Sequence, residues 1–156
     1  MIILQYVPDG IEDINDYYGN PREDDNWFNR NMIVAELPFD LRQSWNQRPI
    51  SRFHAHKRVA AAMVDALMEI ESYAGIGFLR KHNLDQWGGV YNDRNKRGGD
   101  VLSIHAYGAG IDYCPLLGPF GEPSRMPYFI TRAFVRRGFI NLWHYDGQHN
   151  QGAKSY

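Results

Sequence analysis

The clearest periodic pattern in the chain predicts a helix from about His54 to Tyr73. Along this stretch, apolar residues recur at spacings of four, four and three and would share one helical face: Val59, Met63, Leu67 and Ile70. Alanines in the same stretch favour the helical state and permit close packing, and Gly75 follows as a stop signal. We interpret this face as part of the core, with no direct part in function.

Shorter segments after this helix are typical of strands, because they combine β-forming residues with flanking glycines. They read GGVY from Gly88, VLS from Val101 and GIDY from Gly110. A second, shorter helix is predicted from Pro127 in its first turn to Gly138. The block LWHYDGQH that follows is predicted as a final strand, or a strand and a turn. Together these elements predict an α+β fold, with a small antiparallel sheet packed against one long and one shorter helix.

Residues 1–50 have the least regular pattern of the chain. A polar stretch fills much of this region, and only Met32–Leu37, just before Pro38, resembles a strand. We interpret residues 1–50 as loops and an edge strand of the same domain. The alternative is an arm that docks elsewhere.

Composition narrows the class of protein. The chain has 156 residues, enough for one domain, and its 44% hydrophobic and 22% charged residues are typical of a globular protein. The net charge of −1 and the lack of a basic stripe argue against nucleic-acid binding. No apolar stretch is long enough to cross a membrane, so no membrane insertion is expected. The apolar start breaks at Pro8 and carries no positive region, so we expect cytoplasmic synthesis without a signal peptide.

Cysteine usage restricts any metal site. Cys114 is the single cysteine, which excludes an internal disulfide and a zinc site built from several cysteines. Any zinc must therefore be held mainly by histidine and carboxylate ligands, as catalytic zinc often is.

Two segments carry candidate metal ligands. In SIHAYGAGID, His105 and Asp112 lie seven residues apart with glycines between them. If His105 ends one strand and Asp112 lies in the next, a tight turn at Gly108 would bring the two side chains together. In DGQH, His149 would supply a third ligand, and three protein ligands leave one position open for water, as in catalytic zinc sites. Asp146 could then act on that water as the general base.

These spacings also fit an ordinary structural role. His105 and His149 could be hydrogen-bonded histidines in loops, and Asp112 could cap a turn. The residues alone therefore leave both interpretations open.

The motifs in combination resemble a known family. The pattern S-x-H-x-x-G-x-A-x-D, followed far downstream by D-x-x-H, is similar to that of the zinc D-alanyl-D-alanine carboxypeptidases and L-alanyl-D-glutamate endopeptidases. Many members are phage endolysins, and the fold is shared with the hedgehog signalling domain. GGVYNDRNKRGG from Gly88 and the blocks AFVRRGF and WHYDGQH extend the likeness, which covers roughly 50–151, about two-thirds of the chain.

The resemblance implies a role for each matching residue. It implies Zn²⁺ on His105, Asp112 and His149, with Asp146 as base. Ser103 is expected to support the first ligand or a substrate group. Either Arg94 or Arg97 matches the family's arginine, which is expected to bind the substrate carbonyl or the developing oxyanion.

Aromatic residues beside the proposed ligands have two possible roles. Tyr107, Trp143 and Tyr145 could line a substrate groove, or they could be half-buried packing residues. On the resemblance, residues 1–156 form a single catalytic domain, with an irregular part at 1–50 and a peptidase core at 51–151.

The chain departs from the family pattern at three positions. Gly110 replaces an alanine, which we expect to be harmless. Asn150 and Gln151 replace an aromatic and an acidic residue after the last ligand, which could alter the surroundings of His149 at a cost of about 10–100-fold in affinity or activity. A competing register would use His144 as the ligand, but it places Asn141, an amide that cannot take a proton, at the base position.

The resemblance implies zinc-dependent hydrolysis of an amide bond in peptidoglycan stem peptides, as an L-alanyl-D-glutamate endopeptidase or a D-alanyl-D-alanine carboxypeptidase. The expected partner is the peptidoglycan peptide, and we expect a monomer. A phage-type endolysin would act on the wall after release from the cell or as part of a virion. The alternative is a virion structural or wall-binding module that keeps the peptidase fold with little or no activity.

Overall fold

The protein is a mixed α+β structure built around one sheet. The computed structural model describes residues 1–154, apart from the side chain of Pro38, so the last two residues of the predicted 1–156 domain lie outside the described part. The helices are α1 Ile11–Tyr18, α2 Trp27–Asn31, α3 Ala60–Ala74, α4 Ile76–Lys81 and α5 Tyr128–Val135. The strands are β1 Met32–Gln43, β2 Pro49–His56, β3 Gln86–Gly89, β4 Gly110–Tyr113, β5 Ile140–Leu142 and β6 Asp146–Gln151.

The six strands form one sheet in the order β2–β1–β3–β4–β6–β5. β1 runs parallel to β3 near Arg42 and Gln86, and the other neighbouring strands are antiparallel. The predicted α+β class is confirmed, but the prediction of a small antiparallel sheet is wrong. The sheet is larger because β1 and β2 add a hairpin, whose stability depends on cross-strand neighbours that a local pattern does not reveal.

β1 also corrects the interpretation of residues 1–50, which contain α1, α2 and most of a sheet hairpin rather than loops alone. The strand continues through Pro38, where the sequence predicted its end. Its pairing with β2 is interrupted between Glu36 and Leu41, because a proline cannot donate a ladder hydrogen bond and is tolerated at such irregularities. β1 lies between β2 and β3, so it is not an edge strand.

The predicted long helix is confirmed as α3, which contacts β1 and α5. All four residues of the predicted apolar face are buried: Val59, Met63, Leu67 and Ile70. The helix begins at Ala60 rather than His54, because residues up to His56 belong to β2. There the burial alternates with the period of a strand, with Phe53 and Ala55 buried and His54 exposed.

His56, at the end of β2, is a core residue. Its Nε2 donates to the carbonyl oxygen of Tyr18 at 3.1 Å, and its Nδ1 accepts from the backbone N–H of Arg58 at 3.1 Å. Burial lowers the pKa of His56 to about 4. The imidazole is therefore neutral near pH 7 and serves the packing of the N-terminal helices.

The C-terminal elements follow the sequence prediction in outline. α5 begins at Tyr128, so Pro127 precedes the helix instead of lying in its first turn as predicted, and α5 ends at Val135, three residues before the predicted end at Gly138. The block LWHYDGQH, predicted as a final strand or a strand and a turn, forms the end of β5, a turn and most of β6, and these two strands pair as an antiparallel hairpin. The strand predicted from Val101 is absent, since Leu102 makes only an isolated bridge with Asn95. No helix in the described part of the chain is both long and apolar enough to span a membrane.

Candidate metal centre

The sheet register brings two of the predicted ligands together. Asp112 of β4 and His149 of β6 are direct partners on neighbouring antiparallel strands, so their side chains project to the same face. His105 lies in a short 3-10 turn, Ile104–Tyr107, rather than at the end of a strand as predicted. The chain then turns through Gly108, whose φ of 63° is left-handed, before β4 begins.

The ligand atoms of the three residues converge on one point. His105 Nε2 lies 3.2 Å from His149 Nδ1 and 3.4 Å from Asp112 Oδ2. His149 Nδ1 lies 2.8 Å from Asp112 Oδ1. Both imidazoles are nearly buried, with exposed fractions of 4% for His105 and 6% for His149. This His-Asp-His group could hold a metal ion.

The outer nitrogen of His105 has a fixed partner. Nδ1 lies 2.7 Å from the carbonyl oxygen of Val90, to which it can only donate. The proton is therefore on Nδ1, and the lone pair of Nε2 points to the other two ligands. Metal-binding histidines commonly have this arrangement.

In His149 the two ring nitrogens are exchanged relative to His105, so Nδ1 faces the other ligands and Nε2 points away from them. Its Nε2 lies 3.2 Å from Gln151 Oε1. The Gln151 amide nitrogen in turn donates to the carbonyl oxygens of Ala153, at 2.9 Å, and Lys154, at 3.3 Å, which fixes the orientation of the amide. With the proton on Nε2, the Nδ1 lone pair of His149 is available to a metal ion.

Gly110 leaves room for the two imidazoles. A Cβ at this position would lie 2.7 Å from Ile104 Cγ2 and 3.1 Å from His149 Cε1. Alanine would therefore crowd the site in this fold, so the glycine that replaces the alanine of the family pattern fits the space between the rings.

The charges in the group depend on one another. Burial alone would raise the pKa of Asp112, but hydrogen bonds from His105 and His149 hold that pKa well below its ordinary range, and each of these bonds requires a proton on the inner ring nitrogen, where a metal ion would otherwise bind. Burial opposes protonation of His105, yet the neighbouring carboxylate raises its pKa above the ordinary value. Protons therefore compete with a metal ion for these ligand atoms.

A cavity of about 430 Å³ adjoins the three ligands. Asp146 lines it at the start of β6, with its Oδ1 accepting from Gln148 Nε2 at 3.1 Å. Burial raises the pKa of Asp146. The cavity wall also holds four cationic side chains: Arg94, Lys96, Arg97 and Lys154.

Both predicted arginines and Ser103 line this cavity. Arg94 donates to the carbonyl oxygen of Asn95 at 3.2 Å, and the Arg97 guanidinium lies 4.8 Å from the centre of the Phe120 ring. Ser103 Oγ accepts from the backbone N–H of His105 at 3.3 Å, so it caps the turn that carries the first ligand.

The predicted aromatic lining is different in the structure. Tyr107 is only 1% exposed, and its hydroxyl donates to Asn15 Oδ1 at 2.6 Å, so it is a core residue rather than a substrate contact. Trp143 is 55% exposed, but its ring packs on His144 outside the cavity lining. Tyr145 does line the cavity.

His144 and Asn141, the ligand and base of the competing register, have other positions in the structure. His144 is outside the His-Asp-His group. Asn141 Nδ2 donates to the carbonyl oxygens of Gly147, at 3.0 Å, and His149, at 3.2 Å. Asn141 thus holds β6, the strand that carries a ligand, against β5.

Sequence reasoning missed Lys96, Lys154 and the supporting role of Gln151. Lys96 lies between the two predicted arginines, in a basic run that the sequence displays. Lys154 gave no such signal, because only the fold brings it to the site. The departure from the family pattern at Gln151 indicated altered surroundings of His149, but not the hydrogen bond that Gln151 makes with it.

Comparison of the chain with protein-family models, with curated proteins and with solved structures gives no match. The family resemblance carried by the motifs therefore stays a prediction, and the case for a function depends on the geometry of the site.

Proposed function

We propose that this protein is a zinc-dependent peptidase that hydrolyses an amide bond in the peptide part of bacterial cell walls. The observation that supports it most is the buried group of His105, Asp112 and His149, which adjoins a cavity lined by Asp146. The motif resemblance supports the same activity, the phage-endolysin class and a hedgehog/DD-peptidase-like fold.

The ligand set fits zinc. Ligand atoms at 2.0–2.2 Å from a tetrahedral ion are about 3.3 Å apart. His105 Nε2 is close to this separation from His149 Nδ1, at 3.2 Å, and from Asp112 Oδ2, at 3.4 Å, while the other oxygen of Asp112, Oδ1, lies 2.8 Å from His149 Nδ1. Two histidines and one carboxylate are a common donor set for catalytic zinc, and three protein ligands leave one position facing the cavity. When bound, zinc would supply Lewis-acid polarisation and a more acidic water.

Asp146 is suited to move the proton. Its carboxylate lines the same cavity as the ligands, and its raised pKa makes it a better base than an ordinary aspartate. In the proposed reaction it takes a proton from the attacking water and passes it to the leaving amine nitrogen.

The cationic side chains stabilise negative charge. A planar guanidinium from Arg94 or Arg97 is suited to the oxyanion that develops on the scissile carbonyl. Together with Lys96 and Lys154 they give this cavity a positive potential, which favours carboxylate-bearing substrates such as peptidoglycan stem peptides.

Replacement of the base tests this assignment. Zinc-loaded native protein and Asp146→Asn are incubated with purified peptidoglycan, and released fragments are measured by mass spectrometry. We expect cleavage to fall about 10²–10⁴-fold in Asp146→Asn, with zinc content unchanged, because an amide cannot accept the proton.

Glu122→Gln is the matched control, since Glu122 is exposed and makes a backbone bridge with Asp146. This variant should cleave like the native protein. Cleavage that survives in Asp146→Asn would show that another group is the base.

A further inference from the structure

A second cavity lies beside the metal centre. Its volume is about 300 Å³, and it shares Arg94, His105 and Asp112 with the cationic cavity. The rest of its wall is Trp45 and the segment 88–92. His105 and Asp112 thus line both cavities, whereas His149 lines only the first, and a substrate that crosses both cavities would extend on both sides of the scissile bond.

Trp45 is held in an exposed position by an ordered turn. Its indole is 62% exposed although it is large and apolar. The backbone N–H of Ser44 donates to the carbonyl oxygen of Trp87 at 3.0 Å, and Gln47 Nε2 donates to Gln86 Oε1 at 2.8 Å. These bonds tie the turn to β3, so the backbone that carries Trp45 beside the cavity is ordered before a ligand binds.

The backbone beside Trp45 is open to a ligand. Gly89 has a φ of 126°, and a Cβ at this position would meet no atom within 4 Å. Glycine in a strand often marks a site where another chain approaches the backbone closely. The adjoining Gly88 has no such space, since its Cβ would lie 2.7 Å from that of Asp112.

The two cavities differ in charge. Apart from the three shared residues, the described lining of the second cavity is uncharged, whereas the first also contains three cationic side chains, Lys96, Arg97 and Lys154, and one carboxyl group, Asp146. A peptidoglycan stem has the same polarity: its sugar-proximal end is neutral, and its free carboxylates lie further along the peptide.

We propose that Trp45 and the segment 88–92 form a second substrate subsite, which binds the uncharged, sugar-proximal end of the stem peptide. The inference takes its substrate from the proposed function. The carboxylate-bearing part of the stem would then occupy the cationic cavity, and the bond cut would be an internal one near the sugar.

This orientation agrees with the position of the base. Hydrolysis breaks the C–N bond, adds the water oxygen to the carbonyl carbon and transfers a proton to the amine nitrogen. The acyl half would lie against Trp45, and the leaving amine would lie in the cationic cavity. Asp146 lines that same cavity and can deliver the proton there.

Kinetics on two substrates test the subsite. The zinc-loaded protein is given an N-acetylmuramoyl pentapeptide and the same pentapeptide without the sugar. For Trp45→Ala we expect KM for the muramoyl substrate to rise about tenfold with kcat little changed, and KM for the sugar-free peptide to rise less, because its acyl half lacks the sugar. Trp143→Ala is the matched control, because it removes an exposed indole outside both cavities.

A binding measurement separates the subsite from catalysis. N-acetylmuramoyl-L-alanine methylamide, a neutral fragment, is titrated into each zinc-loaded protein by calorimetry. We expect equal Kd for native and Trp143→Ala, and a Kd about tenfold higher for Trp45→Ala.

The outcomes distinguish the two proposals. Equal kinetics in native and Trp45→Ala, or release of terminal alanine alone, would overturn the subsite and leave the peptidase standing. Fragment binding that depends on Trp45 without any cleavage would support the subsite and contradict the peptidase. Neither binding nor cleavage would overturn both.

Discussion

At the scale of single residues, the site depends on which nitrogen of each imidazole carries the proton. Val90 directs His105 through a backbone carbonyl, and Gln151 directs His149 through a side-chain amide. Only the Gln151 contact can be removed by substitution, because it is made by a side chain, whereas the Val90 contact is made by the backbone. Gln151 is also a neutral residue at a position where the resembling family has an acidic one, so it orients His149 without adding charge.

Gln151→Ala should weaken zinc binding about 10–100-fold, because His149 loses the acceptor that fixes its tautomer. The measurement is a competition titration of zinc against a chromophoric chelator. Gln148→Ala is the control, since it removes a nearby amide that contacts Asp146 but no ligand. Equal zinc affinity in native and Gln151→Ala would mean that the hydrogen bond does not orient His149.

At the scale of elements, the centre is assembled by sheet register and by one turn. The pairing of β4 with β6 sets Asp112 opposite His149. The turn before β4 delivers His105, and Gly110 gives the space in which both rings meet. A small change in the backbone here would therefore act on two ligands at once.

Gly110→Ala should lower zinc affinity, because the added methyl would lie too close to Ile104 and to the His149 ring. The affinity can be measured by the same competition titration, together with thermal unfolding. Gly77→Ala is the matched control in α4, where a Cβ meets no atom within 4 Å and should be neutral or slightly stabilising. Unchanged zinc affinity in Gly110→Ala would show that the site tolerates the methyl.

Features that depend on residues close together in the chain could be predicted from the sequence, and features that depend on distant residues could not. The apolar face of α3 is a local pattern and is confirmed, and the start of α5 lies within one residue of its predicted position at Pro127. The β1–β2 hairpin was missed because its pairing is non-local and β1 passes through Pro38. The grouping of His105 with Asp112 and His149 followed from motif spacing, whereas the core position of Tyr107 depends on distant packing.

At the scale of the whole molecule, the two cavities make the two sides of the candidate metal centre chemically different. One side adds Lys96, Arg97, Lys154 and Asp146 to the three residues that both cavities share, and the other adds only uncharged residues, among them Trp45. Residues 1–50 contribute Trp45, so this region, which lacked a clear pattern, helps to form the proposed groove. That contribution was invisible in the sequence because the turn after β1 meets β3 only in the folded chain.

The measurement that tests the central claim most directly is digestion of purified peptidoglycan by the native protein with zinc, with a chelator, and with zinc restored. Fragments are identified by mass spectrometry, and circular dichroism confirms that the protein stays folded. The account predicts peptide fragments with zinc, none with the chelator, and recovery when zinc returns. Fragments that persist in the chelator would contradict the metal-dependent mechanism. No fragments at any zinc concentration would contradict the peptidase and favour a wall-binding or virion structural module.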